Sequence, residues 1–229
     1  MNWELFEAEA ARYERWYQTA KGHRVDQAER ALLTFLLGAF QLPGCLLEIG
    51  CGTGYFTRWL QNRYWRVIGL DRSPAMLSEA QHQWTDAGKM LADAHTLPFG
   101  DATVDVVLYV TALEFLTEPG RALKEAVRAA RRGIVLVLLN RWSIGGISRR
   151  WGPQRGHKLL GQAHDYSIIE LRSLLTAAAG DRLRQLRWAS ALFPGMPSWF
   201  RLPIPLGNVL GMVVVLTAPD GARSCRAED

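Results

Sequence analysis

Apolar residues recur at helical spacing from the start of the chain. Trp3, Phe6, Ala10, Tyr13 and Tyr17 predict a helix over residues 2–17. Lys21-Gly22-His23 interrupts that pattern. A second helix is expected over 25–40, apolar at Ala28, Leu32, Phe35 and Leu36 and closed by the turn signal Gln41-Leu42-Pro43-Gly44. The pattern then changes period. Residues 45–49 form an apolar run of strand length, followed by glycines at alternate positions, Gly50, Gly52 and Gly54. A new helical stripe follows, with Tyr55, Phe56, Trp59 and Leu60 on one face. Further apolar runs at 66–70, 89–91, 104–110 and 133–139 predict four more strands, and 104–110 is nearly continuous, as a buried parallel strand requires. Helices are expected between them. One starts on Ser73-Pro74, with serine as N-cap and proline in the first turn, and another covers 119–130.

Five strands alternating with helices predict a parallel sheet covered on both faces. Beyond residue 140 the alternation stops. Residues 140–158 are glycine-rich and basic (Arg141, Arg149, Arg150, Arg155 and Lys158), with no acid before Asp165, and read as a loop or flap. A helix over 167–180 begins at Ser167 and ends at Gly180. Two strands follow, 183–189 and 209–217, joined by a proline- and aromatic-rich stretch without helical pattern, which predicts a final antiparallel pair. No repeat or linker divides the chain. The expectation is one domain over 1–229: a helical cap (1–42), a core (43–140), the basic flap (141–166), a helix and strand pair (167–219) and a tail (220–229).

A length of 229 residues suits one such domain. A formal charge of +5 and a pI of 9.4 permit an acidic substrate, a nucleic acid or an anionic surface without selecting any, and a basic soluble surface accounts for them. Cys45, Cys51 and Cys225 form no C-x-x-C or zinc-ligand spacing, so no metal is expected. Their sparse, odd number suits a reducing cytoplasm. The acidic, amphipathic start lacks a signal-peptide pattern. The longest apolar stretches, 31–40 and 209–218, are too short to span a bilayer.

The strand, glycine turn and helix at 45–60 form a cradle for a ligand, because glycine admits both positive φ and close approach. An acid, Asp71, ends the second strand about twenty residues on, where doubly wound folds grip a ribose. A nicotinamide enzyme would want a small residue where Tyr55 stands. Three ordered motifs, Glu48-Ile49-Gly50-Cys51-Gly52-Thr53-Gly54, then 69–77 around Asp71, then 92–99 around Asp93, resemble a class I S-adenosylmethionine-dependent methyltransferase of the type 11 family. The resemblance covers about 46–139. It implies an α/β fold, a Rossmann-like seven-stranded, mostly parallel sheet with helices on both faces and an antiparallel last strand. It also implies S-adenosylmethionine as cofactor and S-adenosylhomocysteine as product. Gly50, Gly52 and Gly54, with Cys51 between them, would face the methionine arm and ribose. Glu48 would orient the turn. Asp71 would hold the ribose hydroxyls and Asp93 the adenine amine, with the Ala94 amide on a ring nitrogen and Arg72 and Met76 on the ring faces. Tyr109, Val110 and Thr111, ending the fourth strand, would lie near the reactive methyl, and Tyr13 of the aromatic first helix would line the site.

Methyl transfer needs alignment and dryness more than a dedicated group, and no catalytic residue is identified. His23, His157 and His164 read as surface or packing histidines. Family members often carry a histidine after Leu-Glu following the fourth strand; here Leu113-Glu114 is followed by Phe115. The expected partner is a small-molecule methyl acceptor. Methylation of RNA or another macromolecule through the basic 141–158 segment, with Trp142 and Trp151, is the alternative. It is disfavoured because Tyr109-Val110-Thr111-Ala112 is no base-amine motif. The acceptor, and any oligomeric state, are not readable from the sequence.

Overall fold

The computed structural model of the protein describes residues 4–42, 44–63, 65–83, 88–151 and 160–218. Among these, the strands are β1 (Gly44–Ile49), β2 (Trp65–Asp71), β3 (Lys89–Leu91), β4 (Val104–Val110), β5 (Ala130–Leu139), β6 (Leu183–Ala191), β7 (Arg201–Leu202) and β8 (Val209–Leu216). They form one sheet in the order β3-β2-β1-β4-β5-β8-β6-β7. The first five strands run parallel. β8 inserts between β5 and β6, antiparallel to both, so the antiparallel last strand is as expected. An eighth strand adds to the seven predicted: Arg201 and Leu202 pair with Ala191 and Ser190 at the sheet edge. Two residues are too few to leave a period-2 pattern.

The helices are α1 (Glu4–Glu9), a 3-10 segment (Ala10–Gln18), α2 (Ala20–Leu37), α3 (Tyr55–Gln61), α4 (Pro74–Gln83), α5 (Pro119–Ala129), α6 (Ile144–Trp151) and α7 (Ile168–Ala179). Successive strand residues point to opposite faces, so the sheet has two cores. Leu46, Val106 and Leu108 pack with Leu32 and Leu36 of α2 and Phe56 and Leu60 of α3. Leu47, Ile49 and Val107 pack with Leu123 of α5 and with Leu171 and Leu175 of α7. Each such leucine, fully buried, contributes about 1.5–3 kcal/mol relative to exposure.

Two expectations need correction. The break between the first helices lies at Thr19, not at 21–23. Thr19 is extended, and its hydroxyl accepts from the Gly22 amide at 3.0 Å, capping α2. Gly22 is a packing point: a Cβ there would stand 2.0 Å from the Trp16 carbonyl oxygen. The flap is not a plain loop. Residues 144–151 form α6, begun by the Ser143 hydroxyl accepting from the Gly146 amide at 2.8 Å and by Asn208 Oδ1 accepting from Gly145 at 2.9 Å. Those two caps offset the poor helical propensity of Gly145 and Gly146. Residues 152–159 of the flap, with Arg155, His157 and Lys158, lie outside the described residues, as do Cys225 and the tail.

Candidate active site

The strand order reverses at β1, between β2 and β4, and in open α/β sheets ligands bind beyond the carboxyl ends at that point. There the Gly50 and Cys51 amides donate to the Leu70 carbonyl at 2.7 and 3.0 Å, tying β1 to the end of β2. The chain then turns through Gly50, Gly52 and Gly54 at φ of 72°, 54° and 78°. Side chains disfavour that left-handed region, which is why glycine occupies all three places. At Gly50 an added Cβ would also meet the Ala112 methyl at 2.5 Å. Asp71 spans the gap between turn and strand. Its Oδ2 accepts from the Gly52 amide and its Oδ1 from the Ser73 amide, both at 2.8 Å. Burial pushes the Asp71 carboxyl up, and the amides of Ser73, Gly52 and Arg72 pull it back.

A cavity of about 130 Å³ opens over this turn. Eight of the twelve sequence-predicted residues line it: Gly50, Gly52, Asp71 and Arg72, then Met76, Asp93, Ala94 and Tyr13. The other four do not. Glu48 lies beneath the turn, 2% exposed, and accepts from the Thr57 hydroxyl at 2.5 Å. Burial raises its pKa to about 8, against the Thr57 hydrogen bond. Cys51 is buried, which pushes its thiol up and leaves it unreactive. Gly54 caps α3 from behind. Tyr109 faces the α5 side of the sheet, where its hydroxyl donates to the Ala122 carbonyl at 3.2 Å. Placing it near the reacting methyl ignored the two-residue alternation along β4.

The structure adds His95, which motif reading missed, and brings Thr111 to the site as expected. His95 sits beside Asp93, its Nδ1 2.6 Å from Oδ1 while its amide donates to the same oxygen at 2.9 Å. Burial pushes the Asp93 carboxyl up, but the His95 amide and ring and the Arg72 charge outweigh it and hold the carboxyl below its ordinary value. Thr111, past the end of β4, adopts φ of 48°, a strained conformation for a β-branched residue. Its amide is held by the Val137 carbonyl at 2.8 Å.

A second cavity of about 560 Å³ adjoins the first, and Phe6, Tyr13, Thr111 and Phe115 line both. Its further wall includes Trp16, Tyr17, Val25 and Glu29 from the cap, Leu139 of β5, Ile144 of α6 and Val209 of β8. Two acidic clasps hold the cap down. Glu7 accepts from the Ser73 hydroxyl at 2.5 Å. Glu14 accepts from the Thr53 hydroxyl and from Arg58, each at 2.7 Å. Neither His23 nor His164 lines either of these two cavities: His23 contacts Gln27 at 2.9 Å, and His164 contacts Glu170 at 2.7 Å.

This sheet order, with a glycine turn after β1 and an acid ending β2, defines the class I S-adenosylmethionine-dependent methyltransferases. Residues 47–138 match the family model for a methyltransferase domain, type 11. It is 29% identical over 168 residues to malonyl-[acyl-carrier protein] O-methyltransferase of Serratia marcescens, covering 72% of this chain and 63% of the relative, so it spans less than two thirds of that protein's length. It is similar to a solved S-adenosylmethionine-dependent methyltransferase from Thermotoga maritima, with a TM-score of 0.72 and 25% identity over 93% of this chain and 98% of the other. It also shares its fold with magnesium protoporphyrin IX methyltransferase of Synechocystis, solved with bound S-adenosylhomocysteine, at a TM-score of 0.63 and 17% identity over 90% and 93% of the chains.

Proposed function

We propose that the protein methylates a small-molecule acceptor with S-adenosylmethionine and releases S-adenosylhomocysteine. The observation that carries this reading is the junction of two cavities, one built on the glycine turn and two acids, the other larger and aromatic, sharing four side chains. The residues fit the cofactor. At Gly52 an added Cβ would meet only the Met76 sulfur, at 3.8 Å, so the backbone there is open to the methionine arm. Each Asp71 oxygen already accepts one amide and retains capacity for a ribose hydroxyl. Asp93, kept ionised, suits the adenine amine, with the Ala94 amide on a ring nitrogen and Arg72 and Met76 against the ring. Tyr13 covers the site and excludes water. When bound, the cofactor supplies a methyl group already activated on a cationic sulfonium.

The Serratia relative acts, by its name, on a malonyl group carried by a protein. For this chain the acceptor is argued from the larger cavity, whose dimensions and aromatic walls suit a compact apolar molecule. The whole chain is read as one methyltransferase domain with a helical cap. Cys45 and Cys51 are buried thiols, in keeping with a reducing, cytoplasmic setting. No helix among the described residues is long and apolar enough to cross a membrane.

Calorimetric titration with S-adenosylmethionine and S-adenosylhomocysteine tests the reading. Micromolar binding of both is expected. No heat from either overturns it.

A further inference from the structure

We infer that Glu29 is the general base of this site and that the acceptor presents an N–H or O–H nucleophile on an apolar body, not a carboxylate. The inference rests on the methyltransferase reading above. Glu29 lies on the buried face of α2, 4% exposed, and lines the larger cavity. Its Oε1 accepts from the Thr111 hydroxyl at 3.3 Å. Thr111 lines both cavities, so the carboxyl stands at their junction, where an acceptor atom must meet the cofactor's methyl group. Oε2 has no hydrogen-bond partner among the described residues. A buried polar atom without a partner is costly, and a proton-bearing ligand supplies one.

The charges around Glu29 choose between nucleophiles. On its own helix it faces Asp26 and Arg30, which are committed to each other at 2.6 Å. Glu114 also acts on it electrostatically, and the phenols of Tyr13 and Tyr17 approach from the cap. Asp26 and Glu114 act on this point against one paired arginine, which disfavours a carboxylate here and favours a cation or a hydrogen-bond donor; Glu9, Arg12 and Lys21 line the same cavity, Lys21 about two turns of α2 before Glu29. Phe6, Trp16 and Phe115 add apolar faces, and aromatic faces attract cations. Burial raises the Glu29 pKa from 4.5 to about 8; the Thr111 hydroxyl opposes this, and Asp26 and Glu114 add to it. A proton acceptor with a pKa near working pH is the efficient kind.

The step balances. The acceptor's lone pair forms the new bond to the methyl carbon. The carbon–sulfur bond breaks, and its electron pair stays on sulfur as a neutral thioether. The acceptor's proton passes to the Glu29 carboxylate and later to solvent.

The test uses the full chain saturated with S-adenosylhomocysteine and three naphthalene probes substituted at the same ring position: 2-naphthylmethylamine, 2-naphthol and 2-naphthoate. Calorimetry at pH 7 in buffers of different ionisation enthalpy should show the amine and the naphthol binding at least tenfold more tightly than the naphthoate. Amine binding should release close to one proton. Glu29→Gln should abolish that release and weaken the amine at least tenfold while leaving the homocysteine affinity within twofold. Naphthoate binding as tightly as the others, an unchanged variant, or no probe binding while S-adenosylhomocysteine binds, would each overturn the inference. If Glu29→Gln fails to bind S-adenosylhomocysteine, the ranking of probes on the unaltered protein decides. If the unaltered protein fails to bind it, the methyltransferase reading falls instead.

Discussion

Asp71 fastens the glycine turn before any ligand arrives, because both of its oxygens hold backbone amides. Replacing it by alanine removes a charge-assisted pair of ligand contacts and leaves two amides without acceptors. Asp71→Ala is expected to weaken S-adenosylhomocysteine binding by roughly 1.5–3 kcal/mol, read by calorimetry. An affinity equal to that of the unaltered protein sinks the assignment. Gly50→Ala meets two obstacles, the left-handed φ and the Ala112 methyl. It should destabilise the fold by more than about 1 kcal/mol in urea, and binding should fall with it. Residues of this kind were legible because backbone need and motif coincide in them. Tyr109 was misplaced because a motif names a position, whereas strand alternation decides where its ring goes. Glu29 left a signal that went unread, an acid three and four residues before Leu32 and Leu33 on an otherwise buried helix face. His95 left none, since its role depends on a hydrogen bond to Asp93; Thr111 was legible by its place at the end of β4, though not its strained turn.

The start of α4 is where capping and site-building meet. The Ser73 hydroxyl accepts from the Met76 amide at 3.1 Å and donates to Glu7, which also accepts from the Ala75 amide at 3.3 Å. One serine therefore caps a helix and anchors α1. Ser73→Ala should cost about 0.5–2 kcal/mol of stability, seen as a lower urea midpoint. It should also weaken cofactor binding by releasing the cap. A loss of stability with unchanged binding would separate the two roles and count against the clasp. The parallel strands and their helices were readable from period alone, because fully buried strands give continuous apolar runs. The cap and flap were harder. Gly22 looks like a breaker in one dimension and proves to be a contact with Trp16. α6 depends on Ser143 and on Asn208, sixty residues away in sequence, and no local pattern records that partnership.

For the molecule as a whole, two buried glutamates set a dependence on pH. Glu29 and Glu48 both have pKa values raised to about 8 by burial, against an ordinary 4.5. Between those limits the folded protein keeps protons that the unfolded chain has lost. Their contribution is fully present below pH 4.5 and declines as pH rises towards 8. Glu48→Gln should flatten that decline, so that urea midpoints at pH 5, 7 and 8.5 lie closer together than in the unaltered protein. Equal slopes for the two proteins would show that Glu48 titrates normally.

Phe6 and Tyr13 belong to one short stretch of chain, yet each is a wall of both cavities. Whatever fixes that stretch in one chamber fixes it in the other. The two ligands therefore share a single ordering cost, and whichever arrives first meets it on behalf of the second. Thermodynamic reciprocity then requires the acceptor to tighten the cofactor by the same factor that the cofactor tightens the acceptor. The spent cofactor inherits that coupling, so S-adenosylhomocysteine and the methylated product should each tighten the binding of the other.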